Sequence, residues 1–178
     1  MSIDTEEQLE ERLTRPTPAD VATLRALEGD VVVLGVGGKM GPSLVRLMRR
    51  AATEAGVKKR IIAVARFSDK NLPASLEAEG IETIACDLLD DGALARLPDA
   101  PNVIYMAARK FGTTGSEYMS WAINTQLPAL VSDRYRHSRI ACFSSGNIYP
   151  FRPLHLGGAT EETPVGPQGE IGLDRARV

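Results

Sequence analysis

From Asp30 onward the chain switches repeatedly between short apolar runs and segments of helical period, the signature of βαβ units around a parallel sheet. The pattern predicts strands at Val31–Leu34, Arg60–Ala65, Glu82–Cys86, Asn102–Met106 and Arg139–Phe143. The unbroken run Val31-Val32-Val33-Leu34 fits a strand covered on both faces. After it, Met40, Leu44, Leu47, Met48, Ala51, Ala52 and Ala55 recur at helical spacing, with Arg46, Arg49, Arg50 and Glu54 off that stripe and Gly56 closing the helix. Shorter helices are predicted from near Pro73 to Gly80 and from Asp90 to Arg96, before Pro98 and Pro101 break the chain. A long helix over Ser116–Tyr135 carries the stripe Met119, Ile123, Leu127, Leu130 and Val131, and Pro128 in its middle predicts a kink.

Ahead of the first strand lie two amphipathic segments, Thr5–Leu13 and Pro18–Leu27. In the second, Thr17 is placed as N-cap, Pro18 at the first helical position and Asp20 to complete a capping box. The predicted organisation is therefore a helical appendage over residues 1–29 and an α/β domain over residues 30–178. That domain is expected to be a doubly wound parallel sheet with helices on both faces. Pro150–Gly169, rich in Pro, Gly and Thr, reads as a loop, with at most the start of a helix in Glu170–Val178.

A hydrophobic fraction of 43% and a charged fraction of 25% are those of an ordinary soluble domain. The net charge of -2 supplies no broad positive field, so nucleic acid is not an expected partner. The clusters Arg49-Arg50 and Lys58-Lys59-Arg60 read as solvated cations near a helix C-terminus. No apolar run approaches the roughly 20 residues of a membrane helix, and Met1–Glu11 is acidic where a secretory signal would be basic. The expected setting is the cytoplasm, with no membrane contact. Cys86 and Cys142, at the ends of predicted strands, read as small reduced core residues, and His137 and His155 offer no zinc-ligand spacing, so no metal is expected.

The first strand runs into Gly35-Val36-Gly37-Gly38-Lys39-Met40-Gly41, which opens the amphipathic helix. Gly35 suits a sharp turn, Gly38 lets backbone amides approach a pyrophosphate, and Gly41 lets the helix pack closely on the strand, while the helix N-terminus favours negative charge. Strand, glycine turn and helix in one βαβ unit are the confirming context for dinucleotide binding, with Gly35, Gly38, Lys39, Met40 and Gly41 at the pyrophosphate. A P-loop is disfavoured: Gly38-Lys39 is followed by Met40 where a hydroxyl is needed, and Val33 occupies the position of the first glycine. Where an acidic residue would mark the ribose 2′-hydroxyl of NAD, the chain has Ala65-Arg66. A guanidinium there forks onto a 2′-phosphate, so the expected cofactor is NADP or NAD, leaning to NADP, unless Arg66 is simply a solvated surface residue.

With these features in order over roughly residues 30–175, the chain resembles the extended short-chain dehydrogenase/reductase superfamily, the NAD(P)-dependent epimerase/dehydratase group. Cys86-Asp87-Leu88-Leu89-Asp90 is similar to the family's acidic segment after strand three, which implies that Asp87 and Leu88 face the adenine. Met106-Ala107-Ala108 is similar to the small-residue stretch along the cofactor, and Ile123-Asn124-Thr125 to the asparagine of the following helix. Phe143-Ser144-Ser145-Gly146-Asn147-Ile148-Tyr149-Pro150 resembles the Ser-Ser-x-x-x-Tyr-Gly segment, with proline for the final glycine. The resemblance implies a Rossmann-type fold, hydride transfer on a sugar-nucleotide or small alcohol or carbonyl substrate, Ser145 at the reacting oxygen and Asn124 at a relay water.

Pro128 lacks an N–H, so the carbonyl of Asn124, four residues earlier, loses its helical partner and is a place for that water; a helix merely bent to wrap the sheet is the equal alternative. Ser145, at the C-terminal end of strand five, either polarises a substrate oxygen or caps the local turn. The pattern breaks further on. Ile171 stands where the resembled family has its acid/base tyrosine, and Arg175 where it has the lysine that lowers the tyrosine pKa. The chain is expected to be either a fragment or a variant with a diverged C-terminus. Its alternative function is a catalytically inactive dinucleotide-binding sensor or partner subunit. Strand five is expected at a sheet edge, a surface open to homo-oligomer formation.

Overall fold

The computed structural model describes residues 2–109 and 114–167. It forms two compact units, one of residues 2–107 with 135–142 and one from 108–134 with 143–167.

The first unit holds a five-stranded parallel sheet: β1 (Val31–Leu34), β2 (Ile61–Ala65), β3 (Glu82–Ala85), β4 (Asn102–Tyr105) and β5 (Arg139–Cys142), in the order β3-β2-β1-β4-β5. Each strand matches its predicted span to within a residue at either end. Val31 pairs with Ile61 on one side and Asn102 on the other, so the chain leaves β1 in one direction and returns to its opposite flank at β4. That reversal makes a crevice beyond the carboxyl ends of β1 and β4, the place where ligands bind in open α/β sheets.

β1 and β2 are buried at every position. Between them runs helix α3 (Gly41–Glu54), whose buried residues Val45, Met48, Ala51 and Ala52 recur at helical spacing and join Val31, Val33, Ile61 and Ala63 in one core cluster. Each large side chain buried there contributes roughly 1.5–3 kcal/mol. Helices α4 (Leu72–Ala78) and α5 (Asp91–Ala95) lead into β3 and β4, and each contributes one buried leucine, Leu76 and Leu94.

Helices α1 (Glu6–Leu13) and α2 (Pro18–Ala26) pack on α3. The capping box at Thr17 is present: the Thr17 hydroxyl accepts from the Asp20 amide at 3.3 Å and the Asp20 carboxylate accepts from the Thr17 amide at 2.8 Å. α1 buries none of its residues and is tied down by polar groups instead. Arg46 of α3 donates to Glu10 at 3.2 Å and to Glu79 at 2.7 Å, and Arg50 donates to Glu11 at 2.5 Å and to the Thr14 hydroxyl at 2.6 Å.

Two expectations need correction. Lys59 is not a solvated cation: it is buried, and its Nζ donates to the carbonyls of Leu27 at 2.6 Å and Gly29 at 2.5 Å. The end of α2 and the turn into β1 both leave carbonyls needing donors, and the flexible lysine stem reaches them. Cys142 is not a core residue. Cys86 is buried, but all four residues of β5 are exposed, because β5 is the sheet's outer strand beside β4.

In the second unit the predicted long helix is divided. Helix α6 (Glu117–Trp121) is followed by a π-helical turn at Ala122–Gln126 and then by α7 (Leu127–Arg134). The Leu127 amide donates to the Ala122 carbonyl, five residues back. Where the sequence predicts a kink at Pro128, a widened turn just before the proline takes up its missing N–H and its ring. After β5 the segment has 3₁₀ turns at Gly146–Ile148 and Leu154–Leu156 and is otherwise irregular through residue 167, as expected. The expected start of a helix in Glu170–Val178 lies outside the described residues. Among the described residues no helix is long and apolar enough to cross a membrane, and no cluster of metal-binding side chains occurs.

Candidate functional site

The crevice is built first from the glycine turn. The amides of Gly35 and Val36 both donate to the carbonyl of Val64, at 2.8 and 3.2 Å, and the Gly38 amide reaches the Gly35 carbonyl at 3.4 Å. On the far side of β1, the Met106 amide donates to the Leu34 carbonyl at 2.9 Å. Gly35 has φ +93, and a Cβ there would lie 2.6 Å from the Ala107 nitrogen; at Gly41 it would lie 2.2 Å from the Val36 carbonyl oxygen. Both positions therefore require glycine for the protein's own packing. Gly38 differs: its Cβ would meet only the Gly35 oxygen, at 3.8 Å. A glycine with room for a side chain, on the open face of the turn, leaves the backbone bare to whatever approaches it.

What is left bare is a set of donors. The amides of Gly37, Lys39, Met40 and Gly41 make no hydrogen bond among the described residues. Met40, the N-cap of α3, supplies no side-chain cap, and the first turn has no acidic residue. An uncapped helix of 14 residues whose entry turn presents unbonded amides favours an anion at that turn. Lys39 and Met40 are exposed at the same turn.

A second side of the crevice lies past β2. Arg66 and Lys70 are exposed and form no ion pair among the described residues, and the Cβ that Gly37 lacks would sit 3.3 Å from that of Ala65, which places Arg66 one residue from the glycine turn. The next residue, Phe67, has φ +48, the one non-glycine residue at positive φ among those described, and its side chain is 4% exposed within the main core cluster. A bulky residue in the left-handed region costs about 1–3 kcal/mol, offset here by the burial of the ring. After β3, the Asp87 carboxylate accepts from the Leu89 amide at 3.1 Å and shapes the local turn, while Leu88 is buried. Burial, with Asp87 and Asp90 nearby, raises the pKa of the Cys86 thiol, which keeps it protonated. Met106 and Ala107 continue from β4, half-buried; Ala107 is the residue against which Gly35 is pressed.

Sequence reasoning did not single out Val64 or Phe67. No residue-type signal marks either: one acts through its carbonyl, the other through a backbone angle.

The remaining predicted residues belong to the second unit. Ala108 is exposed. Asn124 is fully buried inside the π turn, where its Nδ2 donates to the Arg109 carbonyl and its Oδ1 accepts from the Arg109 amide, both at 2.9 Å. Arg109 in turn donates to the Ser116 hydroxyl at 2.7 Å. The Ser145 hydroxyl accepts from the Asn147 amide at 3.2 Å and so caps the 3₁₀ turn, leaving its own proton available for another acceptor. Beyond it a cavity of about 440 Å³ is lined by residues that include Asn147, Tyr149, Phe151 and Arg152. Ile171 and Arg175 lie outside the described residues.

Solved structures share this architecture. The chain aligns with dTDP-glucose 4,6-dehydratase from Bacillus anthracis in complex with NAD over 84% of its own length and 48% of that chain, with a TM-score of 0.69 and 17% identity. A UDP-glucuronic acid 4-epimerase from Bacillus cereus in complex with NAD gives a TM-score of 0.65 at 17% identity, covering 83% of this chain and 49% of that one. A short-chain dehydrogenase/reductase superfamily protein from Agrobacterium tumefaciens with bound NAD gives 0.59 at 22% identity, covering 83% and 42%. No protein-family model and no curated protein matches the sequence. The fold is thus the Rossmann-type α/β fold of these enzymes, and the chain spans about half the length of the solved structures it matches.

Proposed function

We propose that this chain binds a nicotinamide dinucleotide in the crevice of its first unit and belongs to the extended short-chain dehydrogenase/reductases, the epimerase/dehydratase group. The observation that carries the proposal is the cradle itself: four unbonded amides at an uncapped helix start, behind a turn in which Gly38 alone has no internal reason to be glycine. Three solved structures of this fold are described as complexes with NAD, which supports the same assignment.

In this function Gly38, Lys39, Met40 and Gly41 hold the pyrophosphate, Gly35 sets the turn, and Met106, Ala107 and Ala108 line the path of the cofactor. Asp87 and Leu88 flank the adenine. Arg66 takes the 2′-phosphate, so NADP(H) is preferred to NAD(H). The cofactor supplies a hydride acceptor or donor. The protein's part is to hold the substrate's reacting carbon beside it and to handle the proton: the Ser145 hydroxyl donates to the substrate oxygen, and Asn124 anchors a relay water. The substrate class is a sugar nucleotide or a small alcohol or carbonyl compound.

A second function has one specific observation in its favour. The resemblance puts Ile171 where the acid/base tyrosine is expected, and a chain without that phenol would bind the dinucleotide as a sensor or as the partner of another subunit.

Calorimetric titration with NADPH and NADH tests both. Binding of either, abolished by Gly38→Asp, is expected; no heat from either cofactor overturns dinucleotide binding. Arg66→Ala is expected to weaken NADPH about tenfold more than NADH, the size of one charge-assisted hydrogen-bond pair, and an equal loss removes the preference for NADP. Oxidation of NADPH across a panel of sugar-nucleotide and small carbonyl substrates separates enzyme from sensor.

A further inference from the structure

We propose that Phe67 is a positioning residue for cofactor selection: its buried ring and left-handed backbone fix the direction in which Arg66 leaves the sheet. This rests on the dinucleotide function proposed above and deepens it.

Three observations converge. First, Arg66 is held on its N-terminal side by the sheet, because the Ala65 carbonyl accepts from the Cys86 amide at 2.9 Å and Ala65 is paired with Ala85. Second, on its C-terminal side the chain turns at once through φ +48, where a glycine or asparagine would sit without strain, yet the residue is phenylalanine. Third, that phenylalanine is 4% exposed and shares the core cluster with Val36, Val45, Ala65 and Leu76. A glycine would permit the turn but leave it free to move. Phenylalanine makes the turn and anchors it, so the residue between sheet and anchor has little backbone freedom.

The neighbourhood shows what this restraint serves. Arg66 has no protein partner among the described residues, so its guanidinium is not held by an ion pair and its placement depends on the backbone beneath it. The glycine turn is fastened to the same strand two residues earlier, through the Val64 carbonyl. Arg66 is therefore registered against the pyrophosphate cradle, and the spacing between a diphosphate and a 2′-phosphate on one adenosine is fixed by covalent bonds. An outlier backbone angle beside a binding crevice, overdetermined by burial, is the form such a device takes.

The test uses 2′,5′-ADP and 5′-AMP as probes, titrated into the full chain and its Phe67→Ala, Phe67→Leu and Arg66→Ala variants, with a thermal melt of each. Wild type is expected to bind 2′,5′-ADP more tightly than 5′-AMP. Phe67→Ala is expected to lose about tenfold for 2′,5′-ADP with 5′-AMP changed less than twofold, and to add no further loss in an Arg66→Ala background. Should Phe67→Ala not fold, Phe67→Leu carries the test, with a smaller loss confined to 2′,5′-ADP. Equal losses for both probes, or additive losses with Arg66→Ala, would mean that Phe67 only packs the core, which overturns the inference and leaves dinucleotide binding intact. A wild type that binds both probes equally removes the NADP preference, and one that binds neither removes dinucleotide binding; the inference falls with each.

Discussion

Asn124 grips the main chain of Arg109 on both sides, its Nδ2 donating to the carbonyl and its Oδ1 accepting from the amide, each at 2.9 Å. The side chain thereby imitates one rung of a β ladder, joining the π turn to the segment that follows β4. Asn124→Leu keeps the shape and leaves that rung unmade inside the protein. Unfolding by urea is expected to show a loss of about 2–4 kcal/mol, and Asn124→Asp, whose carboxylate keeps the acceptor but sets a second oxygen against the Arg109 carbonyl, at least as large a loss at neutral pH. If Leu is tolerated without cost, the bidentate contact is not a structural tie.

The glycines at positions 38 and 41 should respond to alanine in opposite ways. At Gly41 the added methyl meets the Val36 carbonyl at 2.2 Å, so Gly41→Ala is expected to lower stability by about 1–3 kcal/mol or more. At Gly38 nothing lies closer than 3.8 Å, so Gly38→Ala is expected to melt with wild type and yet bind dinucleotide at least tenfold more weakly. A normal affinity in Gly38→Ala would mean that the open face of the turn does not meet the ligand.

Lys59→Met retains the buried stem and removes the ammonium that caps Leu27 and Gly29. Two carbonyls lose their charged donor, and a stability loss of about 2 kcal/mol is expected by urea unfolding. Lys59→Arg, with a planar head too large for the same two carbonyls, is expected to recover little of it.

Acid should loosen the N-terminal helices. The Thr17 hydroxyl, at 2.6 Å, and then the Thr17 amide lower the pKa of Asp20, and the Arg50 guanidinium lowers that of Glu11. A carboxylate with a depressed folded-state pKa stabilises the fold above its unfolded value and gives that contribution up as pH falls through the folded one. Stability is therefore expected to decline below roughly pH 4. A chain with Asp20→Asn and Glu11→Gln is expected to lose stability less steeply as pH falls below roughly 4; an unchanged slope there would mean that these two carboxylates do not set it.

The five strands, the capping box at Thr17 and the glycine turn were legible because each is written in local residue types: β-branched runs, a hydroxyl three residues from a carboxylate, glycines between strand and helix. What escaped depends on distant partners. Nothing in Lys58-Lys59-Arg60 tells which cation turns inward; only the carbonyls of Leu27 and Gly29 decide that. Pro128 announces a disturbed helix but not whether the helix bends or widens. Cys142 has the residue type of a core position, yet the strand it ends lies at the sheet's margin. Phe67 is the extreme case, since its residue type argues against the backbone angle it adopts.

Because one oxygen, that of Val64, receives two neighbouring amides of the glycine turn, the turn and the tip of β2 move as a single piece. A molecule long enough to touch both meets a jig cut to length before it arrives. Most of the entropy of arranging that seat is spent when the chain folds, so complex formation calls for little rearrangement at this end, and residence time is governed by how many grips must release together.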